Sequence, residues 1–259
     1  MVLSLPGMNE VTVKELEIAT GSASSLAVDV YYPPGFSAAA TALPAVVLVT
    51  GHRDSVMEAA VGCKLKDTEQ YRTWCRLLSV TGLVAVAYAN QQPEADSFTV
   101  LQHLSVNAAS LGIDADRLGV WACSANVPNA LGLIMARRFR IRCAAFLYGY
   151  MLDRGGHSIV ADAAPQAGFA APNSSRSIDD LPAELALRIL RAGADQFPGI
   201  NQTIDDFCAD ALARNMDLTL ENHPNAPHSF DILDDSARTR QLIEDTLVFF
   251  SRSLATGGI

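Results

Sequence analysis

The sequence is short of positive charge, since Lys and Arg number 19 against 28 Asp and Glu, and the net charge at pH 7 is -9. Nucleic-acid binding depends on clustered basic side chains that neutralise phosphates. Basic residues cluster once, in "ARRFRIR" at 136–142, a pattern typical of the solvated end of a helix followed by a strand. We therefore expect no nucleic-acid partner, and we expect the acidity to favour solubility.

Cysteine is also scarce, and its spacing forms no recognisable framework. The five cysteines are irregularly spaced and contain no CxxC pair. An odd number at such spacings disfavours both a disulfide scaffold and a zinc site, and it is typical of a reducing compartment. We accordingly expect no metal.

Long apolar runs are missing as well. None approaches the roughly 20 residues that a membrane-spanning helix needs. The opening residues "MVLSLPGMNEV" (1–11) have neither the basic start nor the long apolar centre of a signal peptide. The expectation is a cytoplasmic protein with no membrane partner.

Apolar residues are nonetheless plentiful in total, at 49% of the 259 residues, whereas charged residues make up 18%. This composition is typical of a globular protein with a well-filled core. The length is near the upper limit for one core, and no linker divides the chain. We expect a single domain over 1–259.

Strand patterns change along the chain. The segments "VTVKELEIA" (11–19) and "LAVDVYYP" (26–33) alternate, as half-exposed antiparallel strands do. The segment "DLTLENH" (217–223) predicts a final strand. Five near-continuous apolar runs, each followed by turn residues, predict strands buried on both faces, at 44–51, 82–90, 117–124, 143–150 and 187–193.

Amphipathic segments of helical length separate these strands. They lie at 68–82, 96–112, 129–139 and 202–215, and a closing helix is expected at 235–254. Alternating strands and helices after an antiparallel start predict an α/β protein with a mostly parallel sheet of about eight strands and helices on both faces.

One segment, 151–185, breaks this alternation because it is rich in Ala, Gly, Ser and Pro. We interpret it as a short helix plus loop that overhangs the strand ends. A small lid and an ordinary surface excursion are both open interpretations.

The stretch "GVWACSANVPNALGL" (119–133) places two candidate nucleophiles side by side where a strand gives way to a helix. A sharp strand-to-helix turn exposes one side chain beside backbone amides, and it requires small residues two places before and after the apex. With Cys123 at the apex, Trp121 would fill the tight position. With Ser124 there, the flanking residues are Ala122 and Asn126, so Ser124 is favoured. A helix N-cap role for the serine stays open until partners are found.

A serine nucleophile needs a base and an acid to orient that base. In a parallel sheet the loops at the carboxyl ends of the strands meet at one edge. His228, in "NAPHSF", follows the last predicted strand and is favoured over His223, which closes that strand. Asp195, in "RAGADQFPG", follows another buried strand and is the favoured acid. Weaker candidates for the acid are two aspartates in a helix and two that fit caps of the last helix, Asp205, Asp206, Asp231 and Asp234.

The order Ser124, Asp195, His228 is the chain order of α/β-hydrolase triads. From about Val28 to Phe250 the chain resembles the dienelactone-hydrolase-like branch of the α/β-hydrolases. The resemblance implies that the three residues are nucleophile, acid and base. The chain departs from the branch at the apex, where dienelactone hydrolases carry cysteine. It also has "ACSAN" in place of GxSxG.

The resemblance further implies an oxyanion hole made by two backbone amides. One belongs to Ala125, directly after the nucleophile, and the other to His52, in "TGHRDS" after the first buried strand. Arg53 is a candidate contact for a substrate carboxylate, with a solvated surface arginine as the alternative. Asn126 either widens the elbow or contacts substrate.

The sequence thus predicts a serine hydrolase that cleaves small or short-chain carboxylic esters or lactones through an acyl-enzyme, without cofactor or metal. The substrate is its only expected partner, and the oligomeric state is open. Alternatives are a thiol-type lactone hydrolase that uses Cys123, a thioesterase or acyltransferase on the same triad, and a catalytically silent binding protein with a hydrolase fold.

Overall fold

A computed structural model of the protein describes residues 2–20, 25–37, 41–154 and 156–255. Eight strands of this part of the chain form one sheet in the spatial order β1-β2-β4-β3-β5-β6-β7-β8. The strands are β1 (Thr12–Ala19), β2 (Ser25–Tyr32), β3 (Leu43–Leu48), β4 (Val84–Tyr88), β5 (Ile113–Cys123), β6 (Ile141–Leu147), β7 (Ala186–Ala192) and β8 (Leu218–His223).

The sheet is antiparallel at its start and parallel after that. β2 pairs antiparallel with both β1 and β4, whereas β4, β3, β5, β6, β7 and β8 pair in parallel. The central strands are buried along nearly their whole length, and the edge strands β1 and β8 are largely exposed. This difference explains why the central strands are continuous apolar runs and why β1 alternates.

Helices cover both faces of the sheet. They are α1 (Asp54–Val61), α2 (Glu69–Val80), α3 (Pro93–Val106), α4 (Ala108–Leu111), α5 (Val127–Met135), α6 (Ile159–Ala167), α7 (Ile200–Ala213), α8 (Phe230–Leu233) and α9 (Ala237–Ser253). Alternate residues of β3 point into two separate cores, with Val47 in the core that includes α3, α5 and α7, and Leu48 in the core that includes α2 and α9.

The predicted α/β architecture with about eight strands is confirmed, with shifts at some ends. β5 begins at Ile113, four residues earlier than expected, because Ile113 pairs with Leu43 ahead of an irregularity in the register. Helix α1 was not expected from the sequence. It has eight residues and lies at the surface, where Asp54 is its one buried residue.

The segment 151–185 contains helix α6 and a short helical turn at Ile178–Asp180. Phe169 pairs with His52 in an isolated antiparallel bridge, and the Ala170 N–H donates to the Gly51 carbonyl at 2.9 Å. This segment therefore contacts the loop that follows β3, at the carboxyl edge of the sheet.

Candidate active site

Ser124 stands at a sharp turn between β5 and α5. Cys123 ends the strand in an extended conformation, and Ser124 then has a φ of 56°, in the left-handed region. A non-glycine residue held there costs roughly 1–3 kcal/mol, so the surrounding structure must fix it. A short helical turn, Ser124–Asn126, leads directly into α5, with Pro128 in its first turn.

The turn is packed so tightly that the adjacent segment, just after β6, needs a glycine. A Cβ on Gly149, just after β6, would lie 2.8 Å from the Ser124 carbonyl oxygen and 2.2 Å from a methyl group of Val127. The small residue expected before Ser124 is Ala122, which is fully buried. Close approach of the next strand thus restricts the side chains that this corner accepts.

A continuous hydrogen-bond chain joins Ser124, His228 and Asp195. The Ser124 Oγ lies 2.7 Å from His228 Nε2, and His228 Nδ1 lies 2.7 Å from Asp195 Oδ2. The Asp195 carboxylate is fully buried, and the His228 side chain is 8% exposed. The structure therefore brings together the three residues that the sequence singled out, although they lie up to 104 positions apart.

The loops that carry the acid and the histidine are tied to each other. The Ala194 N–H donates to the Ala226 carbonyl at 3.0 Å. Asp195 Oδ1 accepts the Phe197 N–H at 2.9 Å, so both carboxylate oxygens are engaged. The Phe197 ring then meets the His228 ring edge-on, with 4.6 Å between centroids. These contacts hold the imidazole between Asp195 and Ser124.

The loop after β3 packs directly against the elbow. A Cβ on Gly51 would lie 2.7 Å from the Ala125 carbonyl oxygen, so only glycine fits there. The Gly51 N–H donates to Asn126 Oδ1 at 2.7 Å. The Asn126 side chain is thereby used to bind this loop to the elbow.

Two backbone N–H groups at this junction have no hydrogen-bond acceptor within the part of the chain that the structure describes. The Ala125 N–H lies in the first turn of a helix, where no preceding carbonyl is in reach. No hydrogen bond among the described residues uses the His52 N–H, because its bridge to Phe169 leaves that group unpaired. Free amides on both sides of a nucleophile can accept a developing negative charge.

The His52 ring is partly buried under the segment 151–185. Its Nδ1 lies 3.3 Å from the Gly168 carbonyl oxygen, and the ring meets Phe169 edge-on. Burial lowers the pKa of His52, against a smaller opposing effect of the Gly168 carbonyl. The ring is therefore neutral at pH 7.

Arg53 follows at once and is exposed. It lines a cavity of about 760 Å³ together with Gln92, Phe98 and Arg138, and it also lines a neighbouring cavity of about 320 Å³ beside Phe169. Within the described ranges Arg53 has no carboxylate partner, and the guanidinium of Arg138 lies 5.0 Å over the Phe98 ring.

Cys123 faces away from this site into the core. Its side chain is 4% exposed and lies in the layer that includes Trp121. Burial raises the pKa of the Cys123 thiol, and the nearby Asp231 charge raises it further. The protonated thiol is a poor nucleophile.

Sequence reasoning missed a buried polar cluster behind His228. Asp231, which had been interpreted as a cap of the last helix, instead accepts hydrogen bonds from Gln70, Trp74 and Tyr148. Its place three residues after His228 was the only available sign, because the donors come from α2 and from the loop after β6.

The other histidines lie apart from Ser124. His223 Nε2 lies 2.9 Å from Asp234 Oδ2, His103 is in α3, and His157 is exposed. No group of three or more His, Cys, Asp or Glu side chains in the described part of the chain is arranged to hold a metal ion. The helices of that part include none that is both long and apolar enough to cross a membrane.

No protein-family model and no curated protein matches the chain. Solved structures do match. A bacterial heroin esterase aligns with a TM-score of 0.73 at 14% identity, over 98% of this chain and 88% of that one. Esterase LipW from Mycobacterium marinum aligns with 0.69 at 22% identity, over 94% and 82%.

A third structure, brefeldin A esterase, is described as a bacterial homologue of human hormone-sensitive lipase. It aligns with a TM-score of 0.71 at 14% identity, over 97% of this chain and 80% of that one. At such low identity these likenesses concern the fold. The chain has the α/β-hydrolase fold, and the structures it matches are esterases with that fold.

Proposed function

We propose that the protein is a carboxylic ester hydrolase that uses Ser124 as nucleophile, His228 as base and Asp195 as the acid that orients the base. The observation that carries the proposal is the hydrogen-bond chain of two 2.7 Å contacts that ends on a serine at a left-handed elbow. Such an arrangement activates a hydroxyl that is otherwise a weak nucleophile.

The reaction begins when Ser124 Oγ attacks the carbonyl carbon of an ester or lactone and His228 Nε2 takes the hydroxyl proton. Asp195 holds Nδ1–H and stabilises the imidazolium. The tetrahedral intermediate collapses as His228 returns the proton to the leaving alcohol oxygen. Water then attacks the acyl-enzyme with His228 again as base, which releases the acid and restores Ser124.

The free N–H groups of Ala125 and His52 serve as the oxyanion hole in this proposal. Each donor of this kind contributes about 3 kcal/mol to transition-state stabilisation. Because both donors are backbone groups, the His52 ring has no part in the charge stabilisation.

Membership of the dienelactone-hydrolase-like branch remains part of the proposal, and it rests on the elbow, acid and histidine motifs. Within that branch we favour the serine type over the thiol type. Cys123 is buried against Trp121, and burial raises its pKa. A thiolate in that core position would be both unstable and out of reach of a substrate.

For the substrate, we propose small or short-chain esters or lactones in the cytoplasm. The segment 151–185 adds one helix of nine residues, α6, to the carboxyl edge of the sheet. Arg53, unpaired beside the loop that carries His52, would attract a carboxylate on the acyl or alcohol part. A small molecule is the only partner that this proposal requires.

A fluorophosphonate probe tests the nucleophile. We expect one covalent adduct, located on Ser124 by peptide mass spectrometry, in the parent protein and in Cys123→Ala. We expect none in Ser124→Ala, and hydrolysis of nitrophenyl acetate should fall by about 10⁴-fold or more in that variant. An unlabelled Ser124 would favour a silent binding protein, and loss of activity in Cys123→Ala alone would favour the thiol type.

The same assay, run with nitrophenyl esters of rising chain length and with esters that end in a carboxylate, tests the substrate class. Arg53→Gln should lower kcat/KM for the carboxylate esters and leave the neutral esters unchanged. Arg252→Gln is the control, because Arg252 lines a cavity on the far side of the sheet beside α9. A preference for long chains would contradict the proposed short-chain substrate.

A further inference from the structure

Asp231 is a fully buried carboxylate three residues after His228. Its Oδ2 accepts hydrogen bonds from Gln70 Nε2 and from Trp74 Nε1, both at 2.8 Å. Its Oδ1 accepts the Tyr148 hydroxyl at 2.5 Å. Burying a carboxylate is costly unless its oxygens accept hydrogen bonds, and the oxygens of Asp231 accept three.

No lysine or arginine among the described residues forms an ion pair with Asp231. Its amide and indole partners, Gln70 and Trp74, present N–H groups to it, and these act only as donors. Three hydrogen-bond donors thus surround the buried carboxylate. The site therefore contains a negative charge that no neighbouring cation neutralises.

Tyr148 connects this charge to the base. Its ring meets the His228 ring edge-on, with 4.8 Å between centroids and 66° between planes. Burial raises the pKa of the Tyr148 hydroxyl well above its usual value, and the Asp231 charge adds to this effect. The phenol thus stays protonated and donates to Asp231 while its ring packs on the imidazole.

The backbone conformation of Tyr148 indicates that the surrounding structure holds its side chain beside His228. Its φ of 37° lies in the left-handed region, which is costly for a bulky residue. Its N–H donates to the Leu190 carbonyl at 2.7 Å, and Gln70 Nε2 donates to its hydroxyl at 2.8 Å. The fold fixes both ends of this side chain beside His228.

The groups that face His228 and Asp231 carry negative or no charge. Around the imidazole lie Asp195, Ser124, Tyr148 and Phe197. Around Asp231, in addition to its three donors, lie the side chains of Tyr71 and Cys123, whose pKa values burial raises first and the Asp231 charge raises further. The field of Asp231 therefore extends to the residue next to the nucleophile.

We propose that Asp231 is a second carboxylate for His228, a positioning residue that acts through Tyr148 to hold the imidazole and to stabilise the imidazolium that forms during the reaction. The proposal rests on the proposed function, since it assigns His228 the role of base. Asp195 orients the imidazole through Nδ1. Asp231 binds the hydroxyl of Tyr148, whose ring packs against the imidazole. In a water-poor interior such a charge is weakly screened, so it stabilises the imidazolium that forms when Ser124 is deprotonated.

Asp231→Asn tests the proposal because it removes the charge and keeps the shape. The imidazolium that forms during the reaction then loses a stabilising charge. The acid limb of the kcat/KM profile should move down by about half a pH unit or more. We expect kcat to fall about tenfold, with KM little changed. The rate of fluorophosphonate labelling of Ser124 should show the same shift without any turnover.

Asp234→Asn is the matched control. Asp234 is also an aspartate with three side-chain partners, but these are His223, Ser236 and Thr239, away from Ser124. Its acid limb and kcat should equal those of the parent. Circular dichroism of each variant confirms that the compared proteins are folded.

Tyr148→Phe is the second test, and it decides the matter if Asp231→Asn does not fold. This variant keeps the ring against His228 and removes the hydroxyl that binds Asp231. Its acid limb should move in the same direction by a smaller amount. An acid limb unchanged in every folded variant, with at most a uniform loss of kcat, overturns the proposal. If Ser124 of the parent is not labelled at all, the proposed function has failed instead.

Discussion

Asn126 stands where the GxSxG pattern has a glycine, and its side chain forms a hydrogen bond that glycine could not. Two places after the nucleophile the fold requires a residue that fits a crowded corner, and Asn126 is 4% exposed there. Its Oδ1 accepts the Gly51 N–H, so the elbow and the loop that carries His52 are joined by a side chain. The two sequence interpretations, a wider elbow and a substrate contact, did not include this link.

Removing that link should loosen the proposed oxyanion hole. Asn126→Ala leaves the Gly51 N–H without its acceptor and lets the neighbouring His52 N–H move. Loss of a whole donor costs about 10²–10³-fold, so partial misplacement should lower kcat about tenfold, with KM little affected. Steady-state kinetics on nitrophenyl acetate measure this effect.

The control for this prediction is Asn107→Ala, which removes an equal side chain at the end of α3, where it contacts His103. That variant should keep the parent kcat. If Asn126→Ala is as active as the parent, the link between Asn126 and Gly51 does not position the oxyanion donors.

At the scale of elements, the sequence predicted well wherever burial dominated. The five runs buried on both faces became β3 to β7, because a strand between two helical layers must be apolar throughout. The predicted members of the hydrogen-bond chain, Ser124, Asp195 and His228, followed from the rule that the carboxyl ends of parallel strands share one edge.

Contacts between distant elements were not predictable in this way. The pairing of Phe169 with His52 joins two loops of irregular composition, and the Asp231 cluster draws donors from residues 70, 74 and 148. Neither contact leaves a periodic pattern, since each depends on side chains that meet only after the layers have packed. Local sequence therefore indicated the strand ends but not the contacts of His52 and Asp231 that surround the site.

The start of α9 offers a test of stability against pH. Asp234 accepts hydrogen bonds from Thr239, Ser236 and His223, and these bonds lower the pKa of Asp234. The bond from Thr239 has the largest effect. A carboxyl group with a lowered pKa stabilises the fold above its unfolded value of about 3.9, and this contribution is lost as pH falls through the folded value. The free energy of unfolding of Asp234→Asn should thus be lower by about 1 kcal/mol at pH 7.

Denaturant titrations at pH 7 and near pH 3 measure this difference, which should shrink at the lower pH. Asp235→Asn is the control, because Asp235 is 69% exposed and pairs with Arg240 at the surface. It should change stability little at either pH. An equal deficit of Asp234→Asn at both pH values would show that charge is not the cause.

For the whole molecule, the two apolar layers share one sheet. Adjacent residues of a single strand, Val47 and Leu48, belong to opposite layers, so the two layers pack on the two faces of the same strand. Both tryptophans, Trp74 and Trp121, lie in the layer with α2 and α9. Their fluorescence reports on one layer, whereas far-ultraviolet circular dichroism reports on both.

We expect the two signals to change together in denaturant, as they would in the single domain that the length suggests. Leu104→Ala removes a buried side chain from the opposite layer, at a cost of about 2–5 kcal/mol. It should shift the fluorescence midpoint as far as the dichroism midpoint. A fluorescence midpoint that is unchanged in Leu104→Ala would mean that the layers unfold separately.

The distance of 104 positions between Ser124 and His228 has a consequence for synthesis. A chain that emerges from the ribosome completes β5 and its elbow well before it reaches β8, the edge strand that comes last in the sequence. Until the residues after β8 have emerged, Ser124 lacks its proposed base. Under the proposed function, ester cleavage therefore begins only after the segment that carries His228 has been made.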